Sequence, residues 1–365
     1  MTSFPTTIGE ITPEWLTDAL RSTDVISDAT VTSVDTEILG EGAGFIGELA
    51  RLTLDYDQPE VGSPISLIAK IPAAAPENRE LGDLFRLYER EARFYEDLAG
   101  RVEMRTPRCF FNGMDTESGD FLLLLEDLAP GQVGDQLKGC SSGEVELVLR
   151  DLATFHAGWW ESPHLDELDW MPTLNDPLIV GTVMQAYQGI WDQFLDRFEA
   201  RLTSSMLQTA ERFGKHADKI TSRLTEPPNT ITHGDYRLDN MIFSADEKEP
   251  GLTVIDWQGA AKGRGVFDVT YFLTGTLTPD ARRSVEMGHL KRYHEDLTEH
   301  GVADYSYEQC LLDYRLSALW CLAYAVVAAG SVDLVNERAV DLTNAIVDRD
   351  FAAVEDLEAA DLLPA

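Results

Sequence analysis

Thr232 to Asn240 reads THGDYRLDN, and Val254 to Gly259 reads VIDWQG. Asp235 and Asn240 stand five residues apart on what reads as a tight loop, followed by a short apolar strand at 241–243. A second short strand, Leu252 to Ile255, ends at Asp256. Adjacent strand ends would bring Asp235, Asn240 and Asp256 into one site. Phosphoryl transfer needs a carboxylate beside the attacking hydroxyl and oxygen ligands for Mg2+. Hard cations of this kind take carboxylate and carbonyl oxygens together with substrate phosphates. The plainer alternative is a hairpin whose polar residues only make turns.

Lys70 lies in the apolar run Ser66-Leu67-Ile68-Ala69-Lys70-Ile71 of a chain with only seven lysines. An ammonium in such a strand is costly unless it is paired. It either snorkels to water from an edge or aims at phosphate oxygens, held by a carboxylate from the next helix. That helix offers Glu89, Glu91 and Glu96. Glu91 is the choice, because Phe94 and Leu98 at i+3 and i+7 set it beside the core-facing stripe; Glu89 and Glu96 would face solvent. Upstream, Gly42, Gly44 and Gly47 form GxGxxG within LGEGAGFIGELARL. This pattern fits a phosphate cradle, a hairpin turn or a dinucleotide fingerprint. The segment after it alternates like a strand, whereas a dinucleotide fingerprint opens a helix.

These residues need scaffolds. Thr12-Pro13 starts a short helix over 11–21. Strands are expected at 31–38, 51–56 and 65–71, with a turn at 57–64 between the last two. A helix follows over 80–99, then a buried strand at 121–125. From about residue 143 the pattern turns helical, with stretches at 144–160, 180–213, 279–300, 306–329 and 332–359. The expected fold class is α+β and bilobal: a 1–30 helical extension, a small lobe over 31–126 with an antiparallel sheet, a hinge at 127–131 and a helical lobe over 132–365.

The 365 residues carry 29 Lys+Arg against 64 Asp+Glu, a formal charge of −35. That balance argues against nucleic acid as a partner, since phosphate binding needs clustered cations. It argues against docking on an anionic membrane as well. Cys109, Cys140, Cys310 and Cys321 show no zinc-like spacing and read as reduced thiols. No secretion signal is evident at the start, and the run Ala318 to Ala329 is too short to span a bilayer. A cytoplasmic location is the expectation.

The order GxGxxG, strand lysine, helix glutamate, HxDxxxxN and IDxxG resembles the protein-kinase-like superfamily. Within it the chain is most similar to the aminoglycoside phosphotransferase and choline kinase group, with HGD where protein kinases have HRD. It resembles most closely the ecdysteroid-kinase-like branch, through EREARFYEDL (89–98), LLLLEDL (122–128), LATFHAGWW (152–160), THGDYRLDN (232–240) and VIDWQGAAKGRGVFDVTYFL (254–273). The resemblance implies an ATP- and Mg2+-dependent kinase acting on a hydroxyl of a small molecule. It makes Asp235 the catalytic base and Asn240 and Asp256 the Mg2+ ligands. Lys70 would contact the α/β-phosphates with Glu91 holding it, and Gly42, Gly44 and Gly47 would cover the phosphates. Glu126 to Leu128 would line the adenine pocket through backbone groups. His233 would shape the loop, Asp268 would brace it, Asp239 would brace rather than ligate, and His156 would be a core histidine. Arg237 would offset developing charge or pair with an acidic neighbour. Aromatics such as Trp159, Trp160, Trp170, Tyr187, Trp191, Phe194, Trp320 and Tyr324, where they line the acceptor site, favour an apolar, sterol-like or acyl acceptor over an aminoglycoside. The alternatives are an antibiotic phosphotransferase and a non-catalytic nucleotide sensor on the same fold.

Overall fold

The Thr12 hydroxyl accepts the Trp15 N–H and Pro13 occupies the first helical position, so α1 runs Pro13–Ser22. The computed structural model describes residues 4–40, 46–246, 251–331 and 336–364. The chain forms two compact units, Met1–Gly131 with Val254–Gly259, and Gln132–Thr253 with Ala260–Ala365.

In the first unit, β1 (Val31–Leu39), β2 (Gly47–Tyr56) and β3 (Ser66–Pro72) are followed by α2 (Pro76–Leu84), α3 (Leu87–Arg93), β4 (Cys109–Met114) and β5 (Phe121–Glu126). The antiparallel sheet has the order β1-β2-β3-β5-β4. Leu67, Ala69 and Ile71 of β3 join Leu52, Leu122 and Leu124 in a core that Leu16 and Leu20 of α1 cover. The pleat then turns Lys70, paired across the sheet with Leu49 and Leu123, to the opposite face.

The expected single helix over 80–99 is broken. Arg86 sits at φ +53, and α3 passes into a π-helical turn, Phe94–Leu98. The cause is packing: a Cβ on Gly82 would lie 2.4 Å from the Tyr88 ring. Residues six apart do not face each other on a straight helix, so this contact requires a bend. β4 was not expected from the sequence.

The second unit opens with β6 (Gln132–Val133) and α4 (Ser142–Gly158), the latter started by a Ser141–Glu144 capping box. The expected 180–213 helix is two helices, α5 (Pro177–Phe198) and α6 (Ser204–Arg223), separated at Leu202 in extended backbone and restarted by the Thr203 cap. Then come β7 (Thr230–Thr232), β8 (Met241–Phe243), β9 (Leu252–Val254, its last residue assigned to the first unit), β10 (Ala261–Gly263) and α7 (Val266–Thr276). They form two small sheets, β6-β8-β9 and β10-β7. The helices α8 (Pro279–Glu299), α9 (Tyr307–Ser331) and α10 (Glu337–Asp356) complete the unit. Of the described helices, Tyr307–Gly330 is long and apolar enough to cross a membrane. It is mostly buried, against α5, α7 and α10, as a core helix is.

Val254–Gly259, expected in the helical lobe, belongs to the first unit. Trp257, fully buried, stacks on Phe94 at 4.0 Å with the rings 5° from parallel, and its indole N–H donates to the Val254 carbonyl at 3.1 Å. The Val254 N–H donates to the Arg105 carbonyl.

Candidate active site

In the first unit, Lys70 Nζ lies 2.6 Å from Glu91 Oε2 and 2.9 Å from Asp256 Oδ1. Burial works against the lysine charge, but Asp256 and Glu91 outweigh it and hold the pKa above its usual value. Burial raises the Glu91 carboxyl, and Asp256 adds to that rise while Lys70 opposes it. One ammonium between two carboxylates leaves a net negative charge, which suits a cation more than a bare phosphate. Glu96 is exposed, and Glu89, partly buried, pairs with Arg86. Asp256 holds φ +63, an uncommon conformation for a non-glycine residue.

Gly42 and Gly44 lie outside the described residues. Gly47 starts β2, where a Cβ would come 2.9 Å from the Ile71 carbonyl and 3.5 Å from Lys70 Cε. A side chain there would crowd the strand beside the lysine. The Glu126 N–H donates to the Arg108 carbonyl and the Leu128 carbonyl accepts from the Gly131 N–H. Those two backbone groups are already engaged.

The second unit gathers the remaining residues around one loop. Gly234 adopts φ +82, which favours glycine. Asp268 of α7, fully buried, accepts the His233 N–H at 2.6 Å and the Gly234 N–H at 3.0 Å. His156 is buried between Tyr293 and Asp268. The loop then presents Asp235. Its Oδ2 accepts from Asn240 Nδ2 at 2.9 Å and from Arg237 Nε at 3.1 Å, and its Oδ1 accepts from the Tyr271 hydroxyl at 2.9 Å. Burial would raise this carboxyl, but Arg237, His233 and the Tyr271 hydroxyl hold it below the usual range. Arg237 therefore pairs with Asp235 and with Asp239, at 3.2 Å, while Asp239 also accepts the Gln136 N–H.

Asn240 Nδ2 also donates to the Asp235 carbonyl at 2.9 Å. Two acceptors fix the amide nitrogen as the end that faces Asp235, so the Asn240 carbonyl oxygen is not used in this contact. Among the described residues no three His, Cys, Asp or Glu side chains cluster to hold a metal. An amide carbonyl oxygen is a hard donor of the kind that Mg2+ takes.

Sequence reasoning missed two features. Tyr271 lies within the VFDVTYFL run, and its spacing of three residues from Asp268 was the available signal. Trp257 was legible only as a motif residue, since its partner Phe94 is distant in sequence.

An α+β chain with this loop and this lysine pair has a protein-kinase-like fold. The chain belongs to the ecdysteroid kinase-like family, which residues 41–303 match. No curated protein matches it. Among solved structures it is similar to choline kinase from Cryptosporidium parvum (TM-score 0.56, 8% identity, covering 89% of each chain). It is also similar to Plasmodium vivax ethanolamine kinase (TM-score 0.55, 9% identity, 90% of this chain and 84% of that one). A third is the GDP complex of aminoglycoside 2'-phosphotransferase-IIIa (TM-score 0.54, 16% identity, 93% and 99%). At these identities the likeness is one of fold.

Proposed function

We propose that the chain transfers the γ-phosphoryl group of ATP to a hydroxyl of a small molecule, with Mg2+. The observation that carries this reading is the Asp235 carboxylate, held on both oxygens by three donors, one of them the Asn240 amide. Asp235 takes the proton of the acceptor hydroxyl as that oxygen bonds to the γ-phosphorus and the bridging P–O bond breaks, its electron pair leaving with ADP. Asn240 and Asp256 would hold Mg2+, which offsets charge on the phosphates. Lys70, kept charged by Glu91 and Asp256, would contact the α/β-phosphates. Gly42, Gly44 and Gly47 would cover them, and the Glu126 to Leu128 backbone would border the adenine. Catalysis is then mostly positioning and charge stabilisation.

The flank of Asp235 supports an uncharged acceptor. Asp239 and Asp135 are paired with Arg237, Arg338 and Lys138, so little negative charge is left to hold a polycation. Next to them stand Tyr271 and Tyr324, 5.7 Å apart and edge to face. Of the eight aromatics considered from sequence, Trp159, Trp170, Tyr187, Phe194 and Trp320 are core. Tyr324, partly exposed, is the one beside Tyr271. This favours an apolar hydroxylated acceptor, sterol-like or acyl, over an aminoglycoside.

A thermal-shift screen of hydroxylated compounds with Mg2+ and a non-hydrolysable nucleotide finds ligands by the rise in melting temperature. Asp235→Ala should keep nucleotide binding and lose transfer to the compounds found. Full ATP-dependent turnover by that variant would remove Asp235 from the role of base.

A further inference from the structure

We propose that Tyr271 is the positioning residue of the phosphoryl-transfer base: its hydroxyl fixes the Asp235 carboxylate so that Oδ1 alone receives the acceptor's proton. The inference rests on Asp235 being the base. The two carboxylate oxygens are unequal. Oδ2 already accepts from Asn240 Nδ2 and Arg237 Nε, and a carboxylate oxygen offers about two acceptor sites. Oδ1 accepts from the Tyr271 hydroxyl, which leaves one site for an incoming hydroxyl. The χ2 torsion of a carboxylate is intrinsically broad; the two donors on Oδ2 hold one oxygen, and Tyr271 holds the other.

The tyrosine is itself held in place. Its ring stacks on Phe267 at 6.0 Å and meets Tyr324 edge to face, and Trp320 Nε1 donates to the Tyr324 hydroxyl at 3.1 Å. Asp268 and Tyr271 are three residues apart on α7 and therefore share a face. One helix face thus grips the loop twice, through its backbone at His233 and Gly234 and through the Asp235 side chain. The spacing D-x-x-Y after the second motif carries both contacts.

The test compares wild type, Tyr271→Phe and Asp235→Ala by MgATP turnover, with water or a screened hydroxyl compound as acceptor, and by crystal structures of wild type and Tyr271→Phe. The phenylalanine variant keeps the ring packing. It should melt within about 2 °C of wild type and keep its KM for MgATP, while kcat falls about tenfold to a hundredfold and the Asp235 carboxylate rotates by at least about 30°. If Asp235→Ala is inactive but Tyr271→Phe has wild-type kcat, or an unrotated carboxylate, the positioning role is overturned and the base assignment stands. A loss of kcat that tracks a lowered melting temperature overturns it equally, because Tyr271 would then be structural. If Asp235→Ala turns over as wild type does, the assignment of the base fails and this inference falls with it.

Discussion

Replacing Asp268 should unfasten the loop that carries Asp235, and the cost can be worked from its contacts. The carboxylate is fully buried and accepts two backbone N–H groups, from His233 at 2.6 Å and Gly234 at 3.0 Å. In Asp268→Ala both donors lose their buried acceptor. An unsatisfied buried donor costs about 1–3 kcal/mol, so the pair costs about 2–6 kcal/mol. For a unit of about 150–250 residues, each kcal/mol lowers the melting temperature by about 2–4 °C. A mid-range loss of about 4 kcal/mol therefore lowers it by about 8–16 °C. Asp268→Asn keeps the shape and one acceptor oxygen but turns an amide NH2 toward the second donor, and should lose roughly half as much. Differential scanning calorimetry without ligand reads both variants and needs no knowledge of the acceptor. An alanine variant melting within about 2 °C of wild type would refute the reasoning, since it would mean that the loop conformation is held by something other than these two bonds.

Two further outcomes are expected. Asp350 is buried, and burial pushes its carboxyl up to about 7, with Thr274, Arg349 and Arg282 offsetting only part. A carboxyl raised on folding stabilises the fold fully below its unfolded value, near 4, and that stability is lost as pH rises toward 7. Asp350→Asn should remove about 4 kcal/mol of this slope, so urea titrations between pH 4 and 7.5 should converge at low pH and show the variant more stable at high pH; parallel curves would count against it. Trp257→Ala should destabilise the first unit by about 3–5 kcal/mol, with loss of the near-UV signal of the buried indole, and a change below about 1 kcal/mol would mean that the Phe94 stack contributes little.

What could be read from the chain followed what its physics makes local. The strand–glycine–strand order, the lysine in an apolar run and the five-residue step from Asp235 to Asn240 are all short-range patterns. They suffice for the kinase-like fold class, and they select Glu91 from three candidate glutamates by helix periodicity alone. The bend at Arg86 depends on Tyr88 reaching back to Gly82, and periodicity averages over such a break. The grip of Tyr271 on Asp235 spans 36 positions and that of Lys70 on Asp256 spans 186. Tyr271 was missed for a further reason: an aromatic on an apolar helix reads as core, and its ring is partly that. Only its hydroxyl, at the end of the ring, does something different.

The assignment of Val254–Gly259 to the first unit bears on how the molecule can be taken apart. A fragment ending at Gly131 would contain every strand of the five-stranded sheet and still lack a piece of its own interior. Phe94 would lose the indole that covers it, and Lys70 would keep Glu91 but lose its second carboxylate. The first unit is therefore not an independent module that gene fusion could exchange by a single crossover. Any recombinant that swaps it must carry the six residues around Asp256 as well, or supply them in trans as a peptide. The part of the chain that bears the proposed metal ligand is thus inherited with the lysine it pairs with, although 186 positions separate them.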